Sequence, residues 1–135
     1  MTNVRTYADK TKTPVDVTIS DIRNVVTKHG GKQFVFGVAE DKILIGFIKD
    51  DRKVHIQVGQ SPQHEQRNKS LARALLLVIK AKLEAVAAGV SVFEEEFLAN
   101  IVLPDNTLVG TQARVAIAAA YDGRDMPPLL PDYSA

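Results

Sequence analysis

The stretch QFVFGVAEDKILIGFIKDDRKVHIQV, Gln33 to Val58, decides the fold. Three runs rich in β-branched and aromatic residues, Gln33 to Ala39, Ile43 to Ile48 and Val54 to Val58, are separated by the short polar segments Glu40-Asp41-Lys42 and Lys49-Asp50-Asp51-Arg52. In the last run Val54, Ile56 and Val58 alternate with His55 and Gln57, the period of a half-buried strand. Strands joined by such short turns pair antiparallel, so the stretch predicts a meander.

Upstream of it, Ser20-Asp21 has the chemistry of an N-cap followed by an acid in the first turn, Ile22, Val25 and Val26 share a helical face, and Gly30-Gly31 stops the helix. Residues 1–19 are polar, with Pro14 and weak alternation at Val15, Val17 and Ile19, and predict an arm or a short edge strand. Downstream, Gly59 to Gln66 is a polar loop. From Arg67 to Ala88 there is no Gly or Pro, and Gly89 stands where a C′ glycine belongs, which predicts a long central helix. Ser91 and Glu94 have capping-box spacing and predict a further helix reaching Asn100. Pro104-Asp105-Asn106 is a turn, Thr111 to Tyr121 a last helix stopped by Gly123, and residues 122–135 a Pro-rich tail. The expected architecture is one α+β domain over residues 1–135: an N-terminal helix, a three-stranded antiparallel meander over 20–58 with that helix, then a helical part over 67–121 comprising the central helix and two further C-terminal helices.

On the central helix Lys69, Arg73, Lys80 and Glu84 fall within about 60° of one another, and nearly everything else is apolar. Such a helix needs cover on more than one side, which predicts a homo-oligomer built on it. The apolar run Ala74 to Ile79 is far short of the ~18 residues of a membrane helix. No apolar h-region follows Met1, and the chain of 135 residues has no cysteine, so disulfides and thiolate chemistry are excluded and a reducing, cytoplasmic compartment is expected.

Catalytic patterns are missing. His29, His55 and His64 stand without a serine or acid at a nucleophile–base spacing, no Gly-x-Ser-x-Gly is present, and no pair of His-x-Thr/Ser triplets occurs. Gly30-Gly31 follows a helix and precedes a strand, the reverse of a phosphate-binding loop. Glu94-Glu95-Glu96 point in different directions on a helix, cannot share one ion, and read as a solvated cluster favouring the helix dipole. No cofactor is called for, and a non-enzymatic role is expected.

The formal charge of +1 hides an asymmetry. Residues 1–82 hold 15 basic and 8 acidic side chains, net +7, and residues 83–135 hold 2 and 8, net −6. Anions have a place to bind at the Arg52-Lys53 turn and at Arg67, Lys69 and Arg73, or the basic part of one subunit meets the acidic part of another. In the acidic part only Arg114 and Arg124 are basic. Either is suited to grip phosphate bidentately, while Arg124 has the alternative of a salt bridge to Asp122, Asp125 or the glutamates.

Arg73 to Glu84 (RALLLVIKAKLE), Phe93 to Ala99 (FEEEFLA), Val102-Leu103-Pro104-Asp105, the closing Met126-Pro127-Pro128-Leu129-Leu130-Pro131, and Thr18 to Phe36 together resemble a family of small phage proteins, the Thoeris anti-defence protein 1 family. The resemblance implies non-catalytic sequestration of glycocyclic ADP-ribose, the signal of TIR-based bacterial immunity. It also implies assembly as dimers or higher oligomers and, in some members, a separate site for cyclic oligonucleotides. It assigns Phe97 to stack on adenine, Asn106 to read its edge and Arg124 to hold phosphate. Arg73 or Arg114 completes the anion site, and Asp122 and Met126 line the pocket. Phe97 is also spaced as a core residue of its helix. Two other classes stay open: helix, three strands, helix is the order of double-stranded RNA-binding domains, with Arg67, Lys69 and Arg73 placed as those domains place their basic residues; and a phage structural or assembly protein needs only protein contacts.

Overall fold

The computed structural model describes residues 14–61, 63–125 and 127–131. Helix α1 spans Pro14–Lys28, β1 Lys32–Val38, β2 Lys42–Lys49, β3 Arg52–Gly59, α2 Glu65–Ala87, α3 Phe93–Glu96, β4 Ile101–Val102 and α4 Val109–Tyr121. The α+β class and the order helix, meander, long helix, C-terminal helices are therefore as the sequence predicts.

The first correction concerns residues 14–19, which belong to α1 and not to an arm or strand. Thr18, Ile19, Ile22 and Val26 are buried, with Val15 and Val25 packed against the same core, so the 3.6-residue period outweighs the weak alternation. Proline suits a first helical position, where its missing N–H has no partner to lose, and Asp16 in the first turn favours the dipole. Ser20-Asp21 thus lies inside the helix, not at its cap. The expected arm over 1–13 lies outside the described residues. Gly30, at φ +86°, ends the helix, and a Cβ on Gly31 would collide with Val26.

The sheet order is β1-β2-β3-β4, all antiparallel. Ile43 pairs with Val58, Ile45 with Ile56 and Phe47 with Val54, so these six residues share one face. Helices α1 and α2 pack against each other and bury this face with Ile22, Val26, Ala72, Leu75, Ile79 and Leu83. Asp50 and Asp51, at φ +52° and +60°, form the two-residue β2–β3 turn that positions Arg52. Asn68, buried at the start of α2, satisfies its amide on Ser61: its Nδ2 donates to Ser61 O at 2.6 Å, and Ser61 N donates to its Oδ1 at 3.0 Å.

The second correction is at residues 91–102. Ser91 does not cap; its hydroxyl donates to Val92 O at 3.4 Å, and the helix lasts only from Phe93 to Glu96, followed by a single 3₁₀ turn over Leu98–Asn100. Phe93 and Phe97 are drawn into the core against Phe47, with ring centroids 6.4 and 5.8 Å from it and 5.0 Å apart. Ile101 then pairs with Val54, and Val102 with Lys53, as a fourth strand that no sequence period announced. Gly110 lets α4 approach this segment: a Cβ there would stand 2.7 Å from Ala99 O. On α2 the outward residues Ala74, Leu77, Val78 and Ala81 are exposed, Leu77 by 63%. Among the described residues no helix is long and apolar enough to cross a membrane.

Candidate functional site

The C-terminal segment wraps one end of the sheet and leaves a cleft of about 630 Å³ between the β2–β3 turn, α3, β4, the Pro104–Asn106 turn, the start of α4 and Leu130 of the tail. Its floor is apolar, built by Leu98, Ile101, Val102, Leu103, Val109 and Leu130. The rim is charged and polar, with Asp51, Arg52, Lys53, Glu94 and Asn106. Gln112 Nε2 donates to Pro128 O at 2.9 Å, which ties the tail to α4 near Leu130.

Arg52 leaves the turn at the first residue of β3, and its Nε donates to Glu94 Oε2 at 2.6 Å. This hydrogen bond and the charge of Glu94 raise the guanidinium pKa further, so Arg52 is a permanent cation. Both side chains are about half exposed, so the pair is open to solvent and to a competing ion. Lys53 beside it and the Asn106 carboxamide make no hydrogen bond or ion pair with another described residue. Asn106 is held at φ +74° by a turn in which its own N–H donates to Leu103 O at 2.7 Å, and Asp105 Oδ1 accepts from Thr107 N and Oγ1 at 3.1 and 2.6 Å. A rim of this kind can hold an anion at Arg52 and Lys53 and a polar edge at Asn106, over a floor that accepts an apolar face.

The expected site residues separate. Asn106 lines the cleft. Phe97 does not: it is 1% exposed, edge-on to Phe47 and under the Lys82 ammonium at 5.6 Å, so neither ring face is open to a base. Arg124 Nη2 binds Asp122 Oδ2 at 3.1 Å on the exposed turn after α4, the salt-bridge alternative. Arg114 lines a shallow groove of α4 with Thr111, Val115, Ile117 and Ala118, and Arg73 is exposed on α2. Met126 lies outside the described residues. One chain therefore does not gather these residues into one pocket.

The glutamates are not a merely solvated cluster. Glu94 pairs with Arg52, and Glu96 O and Oε1 lie 2.9 and 3.5 Å from Lys82 Nζ, which leaves Glu95 as the outward acid. Arg52 stood out with Lys53 as a basic turn, but its partner Glu94 lies 42 residues away and no local signal joins the two. The floor residue Leu130 was equally hidden. Of the histidines, His64 Nδ1 lies 3.1 Å from Ser61 Oγ, and His55 is half-buried on the sheet face opposite the helices, its pKa lowered by burial and then by Lys53. Among the described residues no group of three His, Cys, Asp or Glu side chains is placed to hold a metal. No family model, no curated protein and no solved structure matches the chain.

Proposed function

We infer that this chain binds and sequesters a compact cyclic nucleotide of the ADP-ribose class, the glycocyclic signal of Thoeris immunity being the leading ligand, and holds it without turnover. The cleft supports this best: its volume falls within the roughly 300–1,000 Å³ of small-molecule sites. An apolar floor faces a rim with two cations and a carboxamide that no other described residue engages, which matches the base, ribose and pyrophosphate of such a ligand. Asn106 reads the base edge, and Arg52 and Lys53 take the pyrophosphate. Arg73, Arg114 and Arg124 reach the ligand only from a second subunit. Exposed Ala74, Leu77, Val78 and Ala81 on α2, at i, i+3, i+4 and i+7, offer the stripe on which two copies associate. The protein would act in the cytoplasm of an infected bacterium and needs no cofactor.

Thermal unfolding against glycocyclic ADP-ribose, other cyclic ADP-ribose isomers, cyclic oligonucleotides and duplex RNA tests this. A ligand at one hundred times its Kd stabilises by about 2.7 kcal/mol. The expected outcome is a shift with a cyclic ADP-ribose, ligand recovered chemically intact, and weaker binding by Asn106→Ala and Arg124→Ala with the fold retained. No shift with any nucleotide discards the proposal in favour of a phage structural or assembly role. Duplex RNA is the second reading, favoured by α1 and α2 packing together on one sheet face with Arg67 and Arg73 exposed on α2. Duplex binding that falls steeply with salt would select it.

A further inference from the structure

We propose that Glu94 is a resident counter-ion that holds the position of a ligand phosphate on Arg52, so that an anionic ligand binds by displacing it. This rests on the cleft being the ligand site. Arg52 Nε donates a charge-assisted hydrogen bond to Glu94 Oε2 at 2.6 Å, and both groups line the cleft. A carboxylate and a phosphate present equivalent oxygen acceptors to a guanidinium. The rim is balanced as it stands, with Arg52 and Lys53 facing Asp51 and Glu94. A phosphate therefore meets a neutral rim until Glu94 leaves, and then meets Arg52 and Lys53 together. Among the described residues Arg52 is the side-chain partner of Glu94, and the short helix carrying it is anchored by Phe93 and Phe97, so the side chain can swing away without disturbing the core.

The consequence is selectivity. A ligand that offers Arg52 only a neutral acceptor gains less by displacing the carboxylate than pyrophosphate or a nucleoside diphosphate does. Glu95 supplies the control, being an exposed acid next in sequence that lines no part of the cleft.

The test is calorimetric titration with inorganic pyrophosphate, and separately with cyclic ADP-ribose, of the wild-type chain, Glu94→Gln, Glu95→Gln and Arg52→Gln. Freeing Arg52 from an exposed partner should tighten pyrophosphate by about three- to five-fold in Glu94→Gln. Glu95→Gln, which removes the same charge, should change it less than about two-fold. Arg52→Gln should lose most of the affinity, with circular dichroism confirming the fold. Equal effects of the two glutamate changes would overturn the proposal, since only net charge would then matter. So would cyclic ADP-ribose binding that ignores Arg52→Gln, an outcome that leaves nucleotide sequestration standing. Conversely, pyrophosphate binding with the predicted ranking and no binding of any nucleotide keeps Glu94 as the counter-ion and discards the sequestration.

Discussion

Two regions of this molecule hold together by different means. Residues 14–87 form a layer of two helices on a meander, built from long elements whose apolar faces repeat with the period of their backbone. Residues 88–131 form a wrap of short pieces, a four-residue helix, a two-residue strand and one helix of ordinary length. The layer is self-consistent, because β2, β3 and both helices each bury one regular face, while the edge strand β1 packs only Phe34 against the core. The wrap is instead pinned at a few points: Phe93 and Phe97 against Phe47, Ile101 beside Val54, and Gly110 against Ala99. The cleft lies on the seam, with its cations supplied by the layer and its carboxamide by the wrap. Charge follows the same division, and Arg52–Glu94 and Lys82–Glu96 are both ion pairs from one region to the other.

The sharpest way to break the contrast is Phe97→Ala, which removes a fully buried ring at the seam and should cost about 3–5 kcal/mol by urea unfolding. A loss below about 1 kcal/mol would mean that the wrap is not pinned there. Gly110→Ala should come next, at about 1–3 kcal/mol, because the new methyl group meets a backbone oxygen that cannot move freely. The outward face of the layer calls for the opposite result. Leu77→Glu should leave stability within about 0.5 kcal/mol while reducing the mass in sedimentation from an oligomer to a monomer. An unaltered mass would show that α2 is not the contact. The smallest effect concerns His55, whose pKa is lowered by burial and by Lys53. The folded state resists protonating it, so stability is full above the ordinary pKa of 6.5 and declines as pH falls below that value. His55→Gln should flatten this slope in unfolding measured from pH 7.5 to 5.

The same contrast explains what was legible. The meander could be read because Val54, Ile56 and Val58 alternate, and α2 because no Gly or Pro interrupts Arg67 to Ala88 before Gly89. Pro14 to Ile19 misled because six residues with apolar positions at 15, 17 and 19 fit a strand as well as a helix until Ile22 and Val26 are added to the face. Residues 91–102 could not be read from local pattern, since what shortens α3 and extends β4 is tertiary: two rings and an isoleucine captured by β2 and β3. Asn106 was identified as a polar contact and does line the cleft, but Arg52 with Glu94 and the floor of leucines required chain segments up to 79 positions apart to meet, as Asp51 and Leu130 do.

The pairing of Val54 with Ile101 and the three-ring cluster set an order on synthesis. As the chain emerges, the meander and α2 are complete first, yet Phe47 lacks both ring partners and β3 keeps an open edge until residue 102 is available. Contacts this distant in sequence close late and slowly. The nascent domain therefore carries a sticky corner throughout the interval, and the wrap that completes the cleft is also what ends the risk of misassociation.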